Sequence, residues 1–116
     1  MKVYLCGSFK FLNEMTDVCN QITANNISCS MSKPNSSLGM KGCLNYIEEA
    51  DVIYVVNPDG YIGKSVSVDI GFALALKRRI FSMKEITDPP ISELLSGAIS
   101  TQDLIQTVHE FNSNKE

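Results

Sequence analysis

The sequence contains few of the residues that bind zinc. Its 116 residues include one histidine, His109, and four cysteines without a C-x-x-C pair. Zinc sites need several cysteine or histidine ligands at short, regular spacings, so we predict no metal site and no cofactor. The cysteines lie in predicted strands and helices, which is typical of reduced thiols in or near a core: Cys6, Cys19, Cys29 and Cys43.

Long apolar runs and an excess of positive charge are also absent. No apolar run approaches the roughly 18 residues needed to span a bilayer. The first residues, MKVYLCGS, lack the long apolar core of a signal peptide, so we expect a cytoplasmic location and no membrane partner. Ten Lys and Arg against 13 Asp and Glu give a net charge of -3, which offers no electrostatic reason to expect polymeric nucleic acid as a partner.

Glycine-rich phosphate motifs are missing too. The chain has no G-x-G-x-x-G dinucleotide fingerprint and no G-x-x-x-x-G-K-[ST] P-loop. The segment GYIGKS contains G-x-x-G-K-S, which is too short for a P-loop and follows the third predicted strand instead of the first. Neither of these two modes of nucleotide binding is therefore predicted.

Strand-like and helix-like apolar patterns alternate along residues 1–116, which we interpret as a single domain. Apolar runs predict four strands and a short edge strand: Lys2–Cys6, Ile27–Met31, Asp51–Asn57, Ile80–Met83 and residues 98–100. Apolar positions at steps of three and four predict four helices: Phe11–Ala24, Leu38–Ala50, one capped by Ser65 or Ser67, and one with Thr101 as its N-cap. The segment SKPNSSLG predicts a loop.

This alternation indicates an α/β fold. It predicts a flavodoxin-like or Rossmann-like three-layer sandwich, with a mostly parallel sheet of four to five strands in the order 2-1-3-4-5. In such sheets ligands bind beyond the carboxyl ends of the strands, at the switch point between strands 1 and 3. That rule brings together two loops distant in sequence, CGSFKF and NPDGYIGKS.

Polar residues in these two loops are candidates for ligand binding. Gly7 allows close backbone approach, and Ser8 offers a hydroxyl and an amide near a helix N-terminus. Both features suit a phosphate or a sugar hydroxyl, although any tight strand-to-helix turn also needs a glycine. Tyr61 is either a packing residue or a platform for a flat ring, and Asp59 fits a solvated turn acid as well as a ligand.

Asp69 is the candidate with the most chemistry. It lies in the first turns of the predicted third helix, whose N-terminus faces the predicted crevice. There the helix dipole and free amides are expected to stabilise a carboxylate in its charged form. Such a group can act as a nucleophile or as an electrostatic partner for a cationic transition state. An acid kept at a helix N-terminus for stability fits the same pattern.

Three segments, in order and spacing, resemble the nucleoside 2-deoxyribosyltransferase-like family: MKVYLCGSF, YIEEADVIYVVNPDGYIG and VDIGFALALKRRIF. That family includes the 2'-deoxynucleoside 5'-monophosphate N-glycosidases, and the resemblance spans roughly Met1 to Met83. In these enzymes a glutamate attacks C1' of the sugar and releases the base, and another base or water then resolves the glycosyl-enzyme, as in retaining glycosidases. Asp69 takes the position of that glutamate.

The resemblance also implies the residues that bind the substrate. Tyr61 or Phe9 would hold the base, and Ser8 and Ser65 would bind sugar or phosphate. Cys43 stands where the family often has an aspartate. The nucleotide-facing residues of the two loops, the turn acid included, complete the set: Gly7, Asn57, Asp59, Gly60 and Gly63.

The family's activity implies cleavage or transfer at the N-glycosidic bond of a small-molecule nucleoside, deoxynucleoside or nucleoside 5'-monophosphate. It also implies a homo-oligomer, a dimer or higher, because family sites are often completed by a neighbouring subunit. The alternative is a nucleotide-binding module of the same fold that is weakly active or inactive, since both Asp69 and Cys43 depart from the family's acids. A domain with only an interaction or structural role is the third possibility.

Overall fold

The computed structural model describes residues 1–31 and 39–113. Within them five strands form one sheet, in which all pairs are parallel and the order is β2-β1-β3-β4-β5. The strands are β1 (Lys2–Cys6), β2 (Ser28–Met31), β3 (Val52–Val55), β4 (Arg79–Ser82) and β5 (Gly97–Ala98). The predicted α/β fold and strand order are confirmed. The predicted loop at residues 32–39 and the predicted helix start at Leu38 lie largely outside the described residues.

Helices connect the strands. A 3₁₀ turn at Phe9–Phe11 leads into the first helix, and the helices are α1 (Leu12–Ala24), α2 (Gly39–Glu49), α3 (Lys64–Ala75), α4 (Pro89–Ser92) and α5 (Thr101–Ser113). In the part of the chain that the structure describes, no helix is long and apolar enough to cross a membrane.

The sheet separates two apolar cores, because successive side chains of a strand point to opposite faces. On one face, alternate residues of β1 and β3 (Val3, Leu5, Val52 and Tyr54) pack against residues of α1 and α5 (Met15, Val18, Ile22, Leu104 and Val108). On the other face the intervening residues pack against α2 and α3: Tyr4, Cys6, Ile53, Val55, Ile47, Val66, Ile70 and Ala73. β3 is therefore buried on both faces, as its continuous apolar run indicates.

The last helix begins differently from the prediction. Thr101 is its first residue, and the residue before it, Ser100, is the N-cap. The Ser100 hydroxyl oxygen accepts a hydrogen bond from the Asp103 backbone N–H at 3.1 Å. Ser and Thr are both good N-caps, so residue type alone does not decide whether Ser100 or Thr101 caps the helix.

Gly7 fixes the loop that follows β1 against the end of β3. A Cβ atom at this position would lie 2.8 Å from the Val56 carbonyl oxygen and 3.1 Å from the Met15 sulfur. The Val56 N–H also donates to the Cys6 carbonyl at 2.8 Å. The chain can bring the β1 and β3 loops this close only because residue 7 has no side chain.

Gly7→Ala should therefore destabilise the fold by about 1–3 kcal/mol, since a backbone carbonyl and a packed sulfur must both move. Urea unfolding, followed by circular dichroism, measures the change. Gly71→Ala is the matched control. A Cβ at Gly71 meets nothing within 4 Å, so alanine in this helix should be neutral or should stabilise by up to about 1 kcal/mol. Equal stability of the two variants would contradict the role given to Gly7.

Candidate active site

A cavity of about 660 Å³ opens at the carboxyl ends of β1 and β3, between the loop after β1 and the N-terminal ends of α2 and α3. This is the place that the strand order predicts. Of the eleven candidate residues from the sequence, the structure brings eight together in its lining: Gly7, Ser8, Phe9, Cys43, Tyr61, Gly63, Ser65 and Asp69.

Asn57 and Gly60 are not among the described lining residues and instead hold the β3–α3 loop in shape. The buried Asn57 amide accepts from the Lys84 N–H at 3.0 Å and donates to the Lys84 carbonyl at 2.9 Å. Gly60 has a φ of 83°, and a Cβ there would lie 3.0 Å from the Glu85 carbonyl oxygen. These contacts tie the loop after β3 to the loop after β4.

Asp59 also lies outside the described lining. Its carboxylate accepts from the Tyr61 N–H at 3.0 Å and pairs with the Lys10 ammonium at 3.4 Å. The backbone hydrogen bond from Tyr61, followed by Lys10, holds the pKa of Asp59 below its ordinary value. The Lys10–Asp59 pair is half-exposed and joins the two loops across the mouth of the cavity.

The structure adds nine lining residues that the sequence did not single out: Tyr4, Leu5, Cys6, Lys10, Met15, Gly39, Met40, Lys64 and Val66. The spacing of Tyr4 and Cys6 shows that they share one face of β1. Because both faces of β1 are buried, its apolar pattern does not show which face lines the cavity. Lys10 and Lys64 lie beside predicted residues, but nothing in the sequence distinguishes them from solvated lysines.

Asp69 is placed in the cavity by the apolar face of α3. The buried residues of that helix are Val66, Asp69, Ile70 and Ala73, which follow the steps of three and four of a core-facing stripe. The Asp69 side chain is only 5% exposed, and its Oδ1 atom has no hydrogen-bond partner among the described residues. An unpaired buried carboxylate oxygen is costly, so this position needs an explanation other than packing.

Burial raises the pKa of Asp69 from 3.8 to about 6. The sequence led us to expect the opposite effect from the dipole of α3. That expectation fails because Asp69 is in the second turn of the helix, where the dipole is weak, and because its carboxylate is removed from water. The pKa of the buried Cys6 thiol is also raised, first by burial, then by Asp69 and then by Cys43. All three side chains line the cavity.

The N-terminus of α3 also faces the cavity. The helix begins at Lys64, after Gly63, and has no side-chain cap within the described residues. The predicted caps are wrong, since the Ser67 hydroxyl donates back to the Gly63 carbonyl at 3.0 Å and Ser65 is an exposed lining residue. First-turn amides of an uncapped helix attract anionic groups.

Aromatic side chains surround the mouth of the cavity. Phe9 is 47% and Tyr61 is 54% exposed, and the Lys10 ammonium lies 5.2 Å from the centre of the Tyr61 ring. Deeper in the cavity, the buried Tyr4 ring stacks on Tyr46 of α2, with 5.8 Å between the ring centres. No group of three or more histidine, cysteine, aspartate or glutamate residues that could hold a metal ion occurs within 1–31 and 39–113.

Comparison with known proteins identifies the fold. No family model and no curated protein matches the sequence. Solved structures do match. The CMP N-glycosidase BcmB of Clostridium botulinum superposes with a TM-score of 0.63 at 13% identity, over 94% of this chain and 98% of that one. A 2-deoxyribosyltransferase of Bacillus psychrosaccharolyticus gives 0.62 at 18% identity, over 90% of each chain. The chain has the nucleoside 2-deoxyribosyltransferase-like fold.

A conserved protein from Enterococcus faecalis V583 shares this nucleoside 2-deoxyribosyltransferase-like fold, with a TM-score of 0.69 at 13% identity over 95% of this chain and 98% of that one. The coverage of nearly the whole length on both sides extends the resemblance beyond residue 83, to α4, β5 and α5. At these identities the likeness concerns the fold, and the chemistry of the site depends on the residues of this chain.

Asp69→Asn should stabilise the protein at neutral pH. Because the pKa of Asp69 is higher in the folded than in the unfolded chain, the folded state loses stability as pH rises from about 4 to about 6. After allowance for solvent screening, removing the charge should raise the unfolding free energy at pH 7 by about 1 kcal/mol, or the Tm by roughly 4 °C. Thermal melts from pH 4 to pH 8 should show the gain disappearing at the acid end.

Asp59→Asn is the control for this measurement. The pKa of Asp59 is lowered, so its charge contributes stability above its unfolded pKa, and that contribution is lost in acid. This variant should therefore be no more stable than the parent at pH 7. If the stability change caused by Asp69→Asn were the same at every pH, the burial of a charged Asp69 would not be destabilising.

Proposed function

We propose that the protein cleaves or transfers the N-glycosidic bond of a nucleoside, deoxynucleoside or nucleoside 5'-monophosphate, with Asp69 as the nucleophile. The observation that carries the proposal is the buried, unpaired Oδ1 atom of Asp69 in the wall of a cavity of ligand size. Support comes from the fold, which is that of a CMP N-glycosidase and of a 2-deoxyribosyltransferase.

The chemistry follows from the state of this carboxylate. Above about pH 6 Asp69 is ionised, and its free oxygen can form a bond to C1' of the sugar. The C1'–N bond breaks as that bond forms, its electron pair leaves with the base, and the base takes up a proton from solvent. The positive charge that develops at C1' is stabilised by the carboxylate at low local dielectric. Water or a second base then attacks C1' and releases Asp69.

The other lining residues suit the parts of such a substrate. Exposed Phe9 and Tyr61 offer flat surfaces to the base. Ser8, Ser65 and the first-turn amides of α3 offer hydrogen bonds to the sugar or to a 5'-phosphate. Lys64 and Lys10 also line the cavity, although Lys10 is paired with Asp59, so cationic groups lie close to these hydrogen-bond donors.

Asp69→Asn should reduce base release by at least about a thousandfold, because the amide is a far weaker nucleophile. Liquid chromatography of a panel of nucleosides and nucleoside 5'-monophosphates measures the release, and mass spectrometry of a rapidly quenched reaction should find the sugar on the peptide that contains Asp69. Asp59→Asn, outside the described lining, should stay within a few fold of the parent.

The same assay has a pH signature. The parent rate should fall tenfold per pH unit below about pH 6, as Asp69 becomes protonated. Base release that survives in Asp69→Asn, or a rate that does not change between pH 5 and pH 7, would contradict the nucleophile assignment.

Cys43 favours the second candidate, a nucleotide-binding module with little or no turnover. A thiol lines the cavity where the family resemblance places an aspartate, and a thiol is a poor substitute for an acid. A nucleotide that raises the Tm of the parent without any product would support this candidate over the enzyme.

We further propose that a second copy of the chain covers the outer face of α3. The helix has two charged residues, Lys64 at its first position and the buried Asp69. Val68 is 51% exposed on its outer side. A helix that is apolar on nearly all sides is normally buried, and a two-fold symmetric contact lets one such face cover itself.

Val68→Arg should convert the proposed oligomer into monomers, because the arginine charge would be buried at the contact. Light scattering coupled to size-exclusion chromatography gives the mass of each species. Gln21→Arg adds the same charge to an exposed position of α1 and should leave the mass unchanged. A monomeric parent protein at tens of micromolar would rule out this contact.

A further inference from the structure

The face of the sheet opposite the cavity holds two cysteines in contact with each other. Cys29 of β2 is in register with Val3 of β1, so its side chain points to the core that contains α1. Cys19 of α1 follows the buried Val18 and packs against the same core. The Cys19 thiol donates to the Cys29 carbonyl oxygen at 4.0 Å, and the Cys29 thiol donates to the neighbouring Ser30 carbonyl at 3.9 Å.

The chain between the two cysteines is short and held by backbone hydrogen bonds. After α1, the Asn25 and Asn26 N–H groups donate to the Ile22 and Thr23 carbonyls at 3.1 Å, and Asn26 takes a left-handed φ of 62°. This turn sets the position of β2 relative to α1 and brings the Cys19 side chain against Cys29 in the folded state. Both are half-buried and reduced.

From this geometry we propose that Cys19 and Cys29 form a reversible disulfide when the protein meets a small-molecule disulfide oxidant. The thiolate of Cys19 attacks one sulfur of the oxidant and expels a thiolate, giving a mixed disulfide. Cys29 loses its proton, attacks the Cys19 sulfur and expels the second thiolate. The balance is two protein thiols plus one oxidant disulfide, giving one protein disulfide plus two small thiols.

The order of attack follows from the surroundings of Cys29. Burial, and then its contact with Cys19, raise the pKa of the Cys29 thiol well above its ordinary value. Its thiolate is scarce at neutral pH, so Cys29 is the resolving group. The remaining cysteines cannot substitute, because Cys6 and Cys43 lie with the core on the opposite side of the sheet.

The disulfide would attach β2, which within residues 1–31 and 39–113 pairs with β1 alone, to α1. A cross-link over a loop of this length restricts the unfolded chain. The oxidised protein should therefore melt about 5–10 °C above the reduced protein. Neither cysteine lines the cavity, so this inference does not depend on the proposed function.

The test treats the full chain with oxidised glutathione at mildly alkaline pH and follows intact mass and non-reducing peptide maps. The expected product is a chain that is not cross-linked to a second chain and is lighter by two hydrogen atoms, with the peptides of Cys19 and Cys29 linked. Dithiothreitol should reverse its higher Tm. Cys29→Ser should stop at a glutathione adduct on Cys19. Cys43→Ser should form the disulfide as the parent does.

Three results would overturn the proposal. They are a cross-link that includes Cys6 or Cys43, a parent protein that accumulates glutathione on Cys19 without closing the disulfide, and thiols that remain unmodified after prolonged treatment. A second measurement covers a variant that folds poorly: the parent's own linked peptide and its Tm shift require no substitution.

Discussion

The site depends on one constraint, the side-by-side pairing of β1 with β3. The two strands are parallel, and Val3 to Cys6 are in register with Val52 to Val55, so both end at the same height. The next residues are forced together there, and the Val56 carbonyl leaves room only for a glycine at position 7. After β1 the chain passes to one side of the sheet, into α1, and after β3 it passes to the other side, into α3. A crevice therefore opens between the two loops. Most of the described cavity wall is built on these loops and on the helices that follow them.

Within that crevice the fold accepts a local loss of stability. The carboxylate of Asp69 is withdrawn from water without a hydrogen bond to its Oδ1 atom, and its raised pKa expresses the same unfavourable transfer. The apolar residues of α3 on either side of it, Val66 and Ile70, pack into the core and hold the helix in place. An acid retained under these conditions is typical of residues selected for chemistry and not for stability.

The architecture could be predicted from the sequence because it depends on the pattern of apolar residues along the chain. Continuous apolar strands alternating with helical stripes have few arrangements that bury both faces of a sheet. The ends of elements were less predictable. Asp51 reads as part of β3, yet it precedes the strand and its carboxylate accepts from the Lys2 N–H at 2.8 Å. Thr101 and Ser100 are equally good caps, and tertiary packing decides between such neighbours.

The candidate site was predictable in position and only partly in detail. The strand order brings the loops that contain Ser8 and Tyr61 together, independently of their side-chain conformations. It does not reveal that Asn57 turns away to hold Lys84, or that Tyr4 lies in the wall of the cavity. Those facts depend on side-chain directions within two-sided strands. The protonation of Asp69 is beyond the sequence for a similar reason, since helix position and burial act in opposite directions and only the structure shows that burial is larger.

The thiols that line the cavity with Asp69 affect its pKa differently from a second carboxylate. Two carboxylates sharing a buried site raise the pKa of one of them strongly, because both cannot be charged together. Here the groups close to Asp69 include Cys6, whose own ionisation is suppressed by burial and by Asp69 itself. Burial is accordingly the cause of the raised pKa of Asp69, and no like charge adds to it. An aspartate at position 43 would place a like charge near Asp69 and would raise the pKa of Asp69 further. The cysteine at position 43 thus avoids a second charge beside Asp69 but supplies no acid, and the choice between the enzyme and the nucleotide-binding module depends on which of these two effects is larger.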